Sequence, residues 1–150
     1  MSRRTDREHA FKLLFQLPFH QTLDPAQALA VYFDDLSATQ EVDREFVYQE
    51  FSGAAQNVSR IDEYIAAFAD KWALDRLARV DLAIMRLAVY EILYQAGIPV
   101  RVSINEAVEL TKLYGTDDSP GFVNGILGRI AAKIDQDQDQ DHKQKQENPS

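Results

Sequence analysis

Residues 103–134, SINEAVELTKLYGTDDSPGFVNGILGRIAAKI, encode two helices and the turn between them. Ser103 and Glu106 stand in the S-x-x-E arrangement in which the hydroxyl accepts the third helical amide and the glutamate reaches back to the cap amide. The pattern predicts a helix starting at Ile104, with Gly115 placed to end it. Ile104, Ala107, Val108 and Leu110 or Thr111 recur at helical spacing, whereas Glu109 and Lys112 face elsewhere, giving an amphipathic helix of about three turns. After the turn Thr116-Asp117-Asp118, Ser119 can cap a second helix with Pro120 at its first position, where a missing amide is harmless. Phe122, Ile126, Ile130 and Ile134 then follow at i+4 steps. Gly121, Gly125 and Gly128 lie in the same helix, and each costs roughly 0.8–1 kcal/mol against alanine, which predicts a close approach by another backbone.

Upstream the chain reads as further helices. Thr5 with Glu8 offers a capping box for the first, which carries Ala10, Phe11, Leu14 and Phe15 inward and ends near Pro18. Asp24-Pro25 starts a short second helix with Leu29, Tyr32, Phe33 and Leu36 as its stripe. A third spans about Asp43 to Val58 on Phe46, Val47, Phe51 and Ala54. Ile61, Tyr64, Ile65, Phe68 and Trp72 form a fourth, which Asn57-Val58-Ser59 could join to the third. Residues 79–96 make the most apolar helix, stopped by Gly97 and Pro99 and central to the fold. The total is seven helices in an all-α protein.

Composition agrees. A chain of 150 residues with 45% apolar side chains, six glycines and five prolines fits one globular helical domain over 1–134. Residues 135–150, DQDQDQDHKQKQENPS, hold no apolar side chain and carry five acids against two lysines. They read as a disordered, solubilising tail. That tail contributes −3 of the net charge of −8 and leaves −5 on the body, so any nucleic-acid site must be a local cationic patch and not the bulk charge of the chain. The lack of cysteine excludes disulfides and thiolate metal sites, and no apolar run approaches the roughly 18 residues of a membrane span, which leaves the cytoplasm as the default. His9, His20 and His142 have no metal spacing, and neither a phosphate-cradling glycine loop nor a nucleophile elbow is present, so neither cofactor nor catalysis is expected.

Several polar residues stand out. Arg3, Arg4 and Arg7 lie at or before a helix start, where free amides and the helix dipole favour anions. They read either as a phosphate site, with guanidinium forks and amides converging on the same oxygens, or as a solvated arm partly neutralised by Asp6 and Glu8. Phe122, one turn into the last helix beside Asp118, reads as core by its spacing and as a stacking platform for an unpaired base by its place at a helix mouth. Arg86 and Glu91 interrupt the apolar central helix and must be paired or reach solvent. Asn105 and Asn124 read as buried amides that bond helix ends or turns.

The pattern INEAVEL, a Tyr-Gly turn and S-x-x-FVNGIL closely resembles the C-terminal signature of the NusB family of bacterial transcription antitermination factors. Arg7-Glu8, Ala10 and Leu14-Phe15-Gln16 resemble the family's first helix, and Arg79 to Leu93 its central one. The resemblance implies two small packed helical bundles, and binding of the single-stranded boxA element of nascent ribosomal RNA. It also implies a partner, the small-subunit ribosomal protein NusE, and a place in an RNA polymerase complex that resists termination. It assigns RNA contacts to Arg3, Arg4, Arg7, Arg86, Asp118 and Phe122, and the partner surface to Asp75 and Asp81. The family often has a denser arginine run than this chain, where Thr5 and Asp6 intervene. The alternatives are a NusB-like RNA-binding domain related to ribosomal RNA cytosine methyltransferases, for whose catalytic domain the chain has no room, and a helical protein adaptor. Monomer and homodimer both remain open.

Overall fold

The computed structural model describes residues 2–16, 24–34, 41–69 and 74–147. Among these are seven α-helices and no strand: α1 (Arg3–Gln16), α2 (Pro25–Asp34), α3 (Arg44–Gln56), α4 (Val58–Phe68), α5 (Arg79–Tyr94), α6 (Val100–Tyr114) and α7 (Ser119–Glu147). A short 3-10 turn, Leu74–Arg76, leads into α5. Pro18, Leu36 and Trp72 lie outside the described residues.

The fold is organised around α5. Helices α1, α2 and α3 pack as one bundle and α4, α6 and α7 as another, with α5 touching α1, α3, α4, α6 and α7. A helix buried on nearly all sides must be apolar on nearly all sides, and Ala83, Ile84, Met85, Leu87, Ala88 and Val89 are all buried. From the flanking helices, Leu13, Leu14, Phe51, Ile61, Leu110 and Ile126 complete the core. Phe122 is half-buried and packs against this cluster while keeping part of its ring at the surface.

Local chemistry sets most helix ends. The Ser2 hydroxyl accepts the Thr5 amide at 3.1 Å, so α1 starts at Arg3 and not at the Thr5–Glu8 box. Asp43 caps α3 by accepting the Phe46 amide at 3.1 Å. The Asn57 side-chain amide donates to the Gly53 carbonyl at 2.8 Å and closes α3, which separates it from α4. Gly115 ends α6, its amide donating to the Thr111 carbonyl at 2.8 Å. No larger residue fits there, since a Cβ would lie 2.6 Å from the Ser119 hydroxyl oxygen.

The cap predicted at Ser103 does not form. Helix α6 begins a turn earlier, after Pro99, and Ser103 is a buried interior residue. Likewise the Ser119 hydroxyl accepts the Thr116 amide at 3.0 Å, holding the preceding turn in place of capping α7. The close-approach expectation for Gly121, Gly125 and Gly128 is also wrong, because a Cβ at any of them meets open space. The close approach is at Gly53, where a Cβ would overlap the Tyr90 ring. Asn105 and Asn124 are exposed, not buried. Helix α7 extends to Glu147. Adding turns to an existing helix avoids the nucleation penalty, and Asp137 anchors the extension to Tyr64 and Lys133.

Candidate nucleic-acid interface

Arg3 and Arg4 occupy the first turn of α1 and are 54% and 49% exposed. Arg3 donates to Asp43 at 2.8 Å and to Asp6 at 3.1 Å, and its guanidinium lies 4.1 Å from the Phe46 ring centroid. It holds the Asp43 carboxyl below its ordinary pKa, with the Phe46 amide contributing next. Arg4 forks onto Glu106 of α6, Nε at 2.9 Å and Nη2 at 3.1 Å. Exposed pairs of this kind are screened by solvent and contribute little, so a phosphate can share or replace the carboxylates without unfolding anything. Both guanidinium groups remain partly exposed at one helix end, where the helix dipole also favours an anion.

Arg7, assigned to the same arm by sequence, is 6% exposed and turned inward. Its Nε donates to Glu91 Oε2 at 2.8 Å and its Nη2 to Oε1 at 3.1 Å. Ser103 donates to Oε1 of the same carboxylate at 2.7 Å. Glu50 is buried beside them with no donor on either oxygen among the described residues. Burial, and then the charge of Glu91, pushes the Glu50 carboxyl well above its ordinary pKa, so it carries a proton and can donate it to Glu91. At Glu91 burial acts in the opposite sense, but the Glu50 proton, Arg7 and Ser103 outweigh it and lower the pKa. The cluster is therefore one cation, one anion and one neutral acid, a combination that a dry interior tolerates. Arg7 is a positioning residue: it fastens α1 to α5 and α6 and so fixes where Arg3 and Arg4 project.

The remaining assigned residues fall into two groups. Asp118 is exposed at the end of the α6–α7 turn, and its carbonyl accepts the Phe122 amide at 3.2 Å, which places the two side by side at the mouth of α7. Arg86 instead forks onto Asp62 of α4, both bonds at 2.8 Å, as a partly buried tie between α4 and α5. Asp81 is only 6% exposed and receives the Ser119 hydroxyl at 3.1 Å, which corrects its reading as a direct partner contact. Its pKa is raised, by burial against the opposing Ser119 bond. It anchors the turn that presents Asp118. Asp75 sits in the 3-10 turn before α5, and its side chain lies outside what the structure describes.

Sequence reading missed Glu106, Asp43 and Phe46, which orient the arginine pair. Glu106 was legible only as half of a capping box. No helix among the described residues is long and apolar enough to cross a membrane, and no group of acidic or histidine side chains there could hold a metal ion.

Two bundles sharing a central helix, with an arginine pair at one helix end and an aromatic ring at the mouth of another, define the class of the fold: an all-α protein of two packed bundles. The profile of the NusB family matches residues 4–132, and the chain belongs to that family. It is 41% identical over 131 residues to the transcription antitermination protein NusB of Agathobacter rectalis, covering 87% of this chain and 100% of that one. It is 44% identical over 136 residues to that of Bacillus pumilus, covering 91% and 99%. The solved structure of T. maritima NusB superposes with a TM-score of 0.76 at 40% identity, covering 88% of this chain and 92% of that one. The structure of antitermination factors NusB and NusE in complex with double-stranded RNA gives a TM-score of 0.75, covering 87% and 96%; at 22% identity that likeness shows the fold alone.

Proposed function

We propose that this chain is a cytoplasmic transcription antitermination factor that binds single-stranded boxA-type RNA together with a NusE-type ribosomal protein, within an RNA polymerase complex. The observation that carries the reading is the exposed Arg3–Arg4 pair on a helix locked in place by Arg7–Glu91, in a chain matching relatives of that name along nearly their full length. Arg3 and Arg4 would take phosphates, Phe122 would stack on a base, and Asp118 would accept hydrogen bonds from a base edge. Asp75 would face the protein partner, with Asp81 acting through the turn it anchors. The chemistry is binding alone.

An acidic body carrying a small cationic patch predicts modest RNA affinity for the free protein and higher affinity once a basic partner adds phosphate contacts. Titration of a fluorescent boxA-type RNA, with and without the partner, should give coupling of roughly 1–3 kcal/mol. Partner binding with no RNA binding under either condition would leave the adaptor reading instead.

A further inference from the structure

Helices α4 and α7 enclose a groove of about 320 Å³ that none of the assigned residues lines. Its walls carry Arg60, Tyr64 and Phe68 from α4 and Lys133 and Asp137 from α7. The Asp137 carboxylate is held at both oxygens, by the Tyr64 hydroxyl at 2.8 Å and by the Lys133 ammonium at 3.2 Å. Arg60 stands beside them, its guanidinium 5.5 Å from the Tyr94 ring centroid and bonded to the Tyr94 hydroxyl at 3.1 Å. The Tyr64 hydroxyl first, opposed by burial and then reinforced by Lys133 and Arg60, holds the Asp137 carboxyl below its ordinary pKa. The groove is thus already an anion seat, filled by the protein's own tail.

We propose that the α4–α7 groove is a second phosphate site for RNA, and that Asp137 occupies it in the free protein as an internal competitor. A hydroxyl and an ammonium meet on the Asp137 carboxylate, and the Arg60 guanidinium, bonded to Tyr94, lies on the same groove wall; these are donor types that a phosphodiester uses. Two aromatic side chains line the same groove and offer faces for a base, and its volume lies at the lower end of the range for small-ligand sites, roughly 300–1,000 Å³. Of the alternating acids Asp135, Asp137, Asp139 and Asp141, Asp137 alone is partly shielded, while the other three are exposed. The aromatic lining favours RNA over an acidic protein segment. Glu63, also on the groove wall, limits its affinity for phosphate.

The inference rests on the RNA-binding reading, and the test separates the two. Anisotropy of a fluorescent single-stranded RNA dodecamer is measured with the full chain across a salt series. Asp137→Asn should tighten binding roughly two- to fivefold, the size of an exposed ion pair, whereas Asp139→Asn, which removes the same charge from an exposed position, should do less. Arg60→Ala with Lys133→Ala should weaken binding, lower the salt slope by about 1.4 for two lost phosphates on a single strand, and abolish the gain from Asp137→Asn. Equal gains from Asp137→Asn and Asp139→Asn, or a gain that survives loss of Arg60 and Lys133, would reduce the effect to bulk charge and overturn the proposal. Indifference to all groove variants, with binding still lost on Arg3→Ala/Arg4→Ala, overturns the groove alone. Absence of RNA binding by the unaltered protein, with or without its partner, overturns the primary reading.

Discussion

Arg7 and Glu91, 84 residues apart in sequence, meet in a two-pronged buried ion pair at 2.8 and 3.1 Å, and this contact decides the geometry of the arginine arm. It converts one of three N-terminal arginines from a ligand contact into the bolt that holds the other two. Ser103 donates to the same Glu91 carboxylate and Glu50 is buried beside it, so the polar cluster draws on four helices.

Arg7→Ala should therefore unfold the protein more easily, by about 3–5 kcal/mol, because it strands a buried charge. Urea denaturation measures it. A loss below about 1 kcal/mol, accompanied by a lower salt slope for RNA, would return Arg7 to the surface arm.

Arg3→Ala with Arg4→Ala should do the opposite. Stability should be nearly unchanged in the same urea melts, since both pairs are exposed. The salt slope for single-stranded RNA should drop by about 1.4. An unchanged slope would remove the arm from the interface.

The raised pKa of Glu50 gives a pH signature. Its folded form retains a proton that the unfolded chain releases, so its contribution is fully present below the ordinary carboxyl pKa and is lost progressively as pH rises above it. Glu91, with a lowered pKa, contributes in the opposite sense, above the ordinary carboxyl pKa, and loses that contribution as pH falls through its folded value. Glu50→Gln keeps a donor for Glu91 and has no proton to release. Its stability between neutral and alkaline pH should therefore decline less than that of the unaltered protein in matched urea melts. Parallel curves would show that Glu50 does not retain its proton.

The glycines separate by surroundings. Gly53→Ala should destabilise strongly, because the Tyr90 ring fills the space a methyl would need. Gly121→Ala, Gly125→Ala and Gly128→Ala meet open space and should each raise stability by up to roughly 1 kcal/mol through helix propensity. Thermal melts of the four variants test this directly. Destabilisation by any of the α7 changes would mean that a neighbour contacts that strip.

What the sequence determined by itself is what depends on neighbours along the chain. Asp43, Gly115 and Pro25 mark helix ends through bonds and dihedrals spanning a few residues, and the 3.6-residue apolar period reports which face turns inward. These signals suffice for seven helices and for a central α5. Tertiary structure decided where the polar groups went. The S-x-x-E pattern at Ser103 and Glu106 satisfies a capping rule locally, yet Ser103 bonds Glu91 on α5 and Glu106 bonds Arg4 on α1. Asp81 and Arg7 look as free in sequence as Asp118 and Arg3, and only packing puts the first two inside. Helix propensity and capping are set within a turn or two, whereas a charge is buried or exposed according to a partner that may lie anywhere in the chain, and burial is tolerated only where that partner arrives.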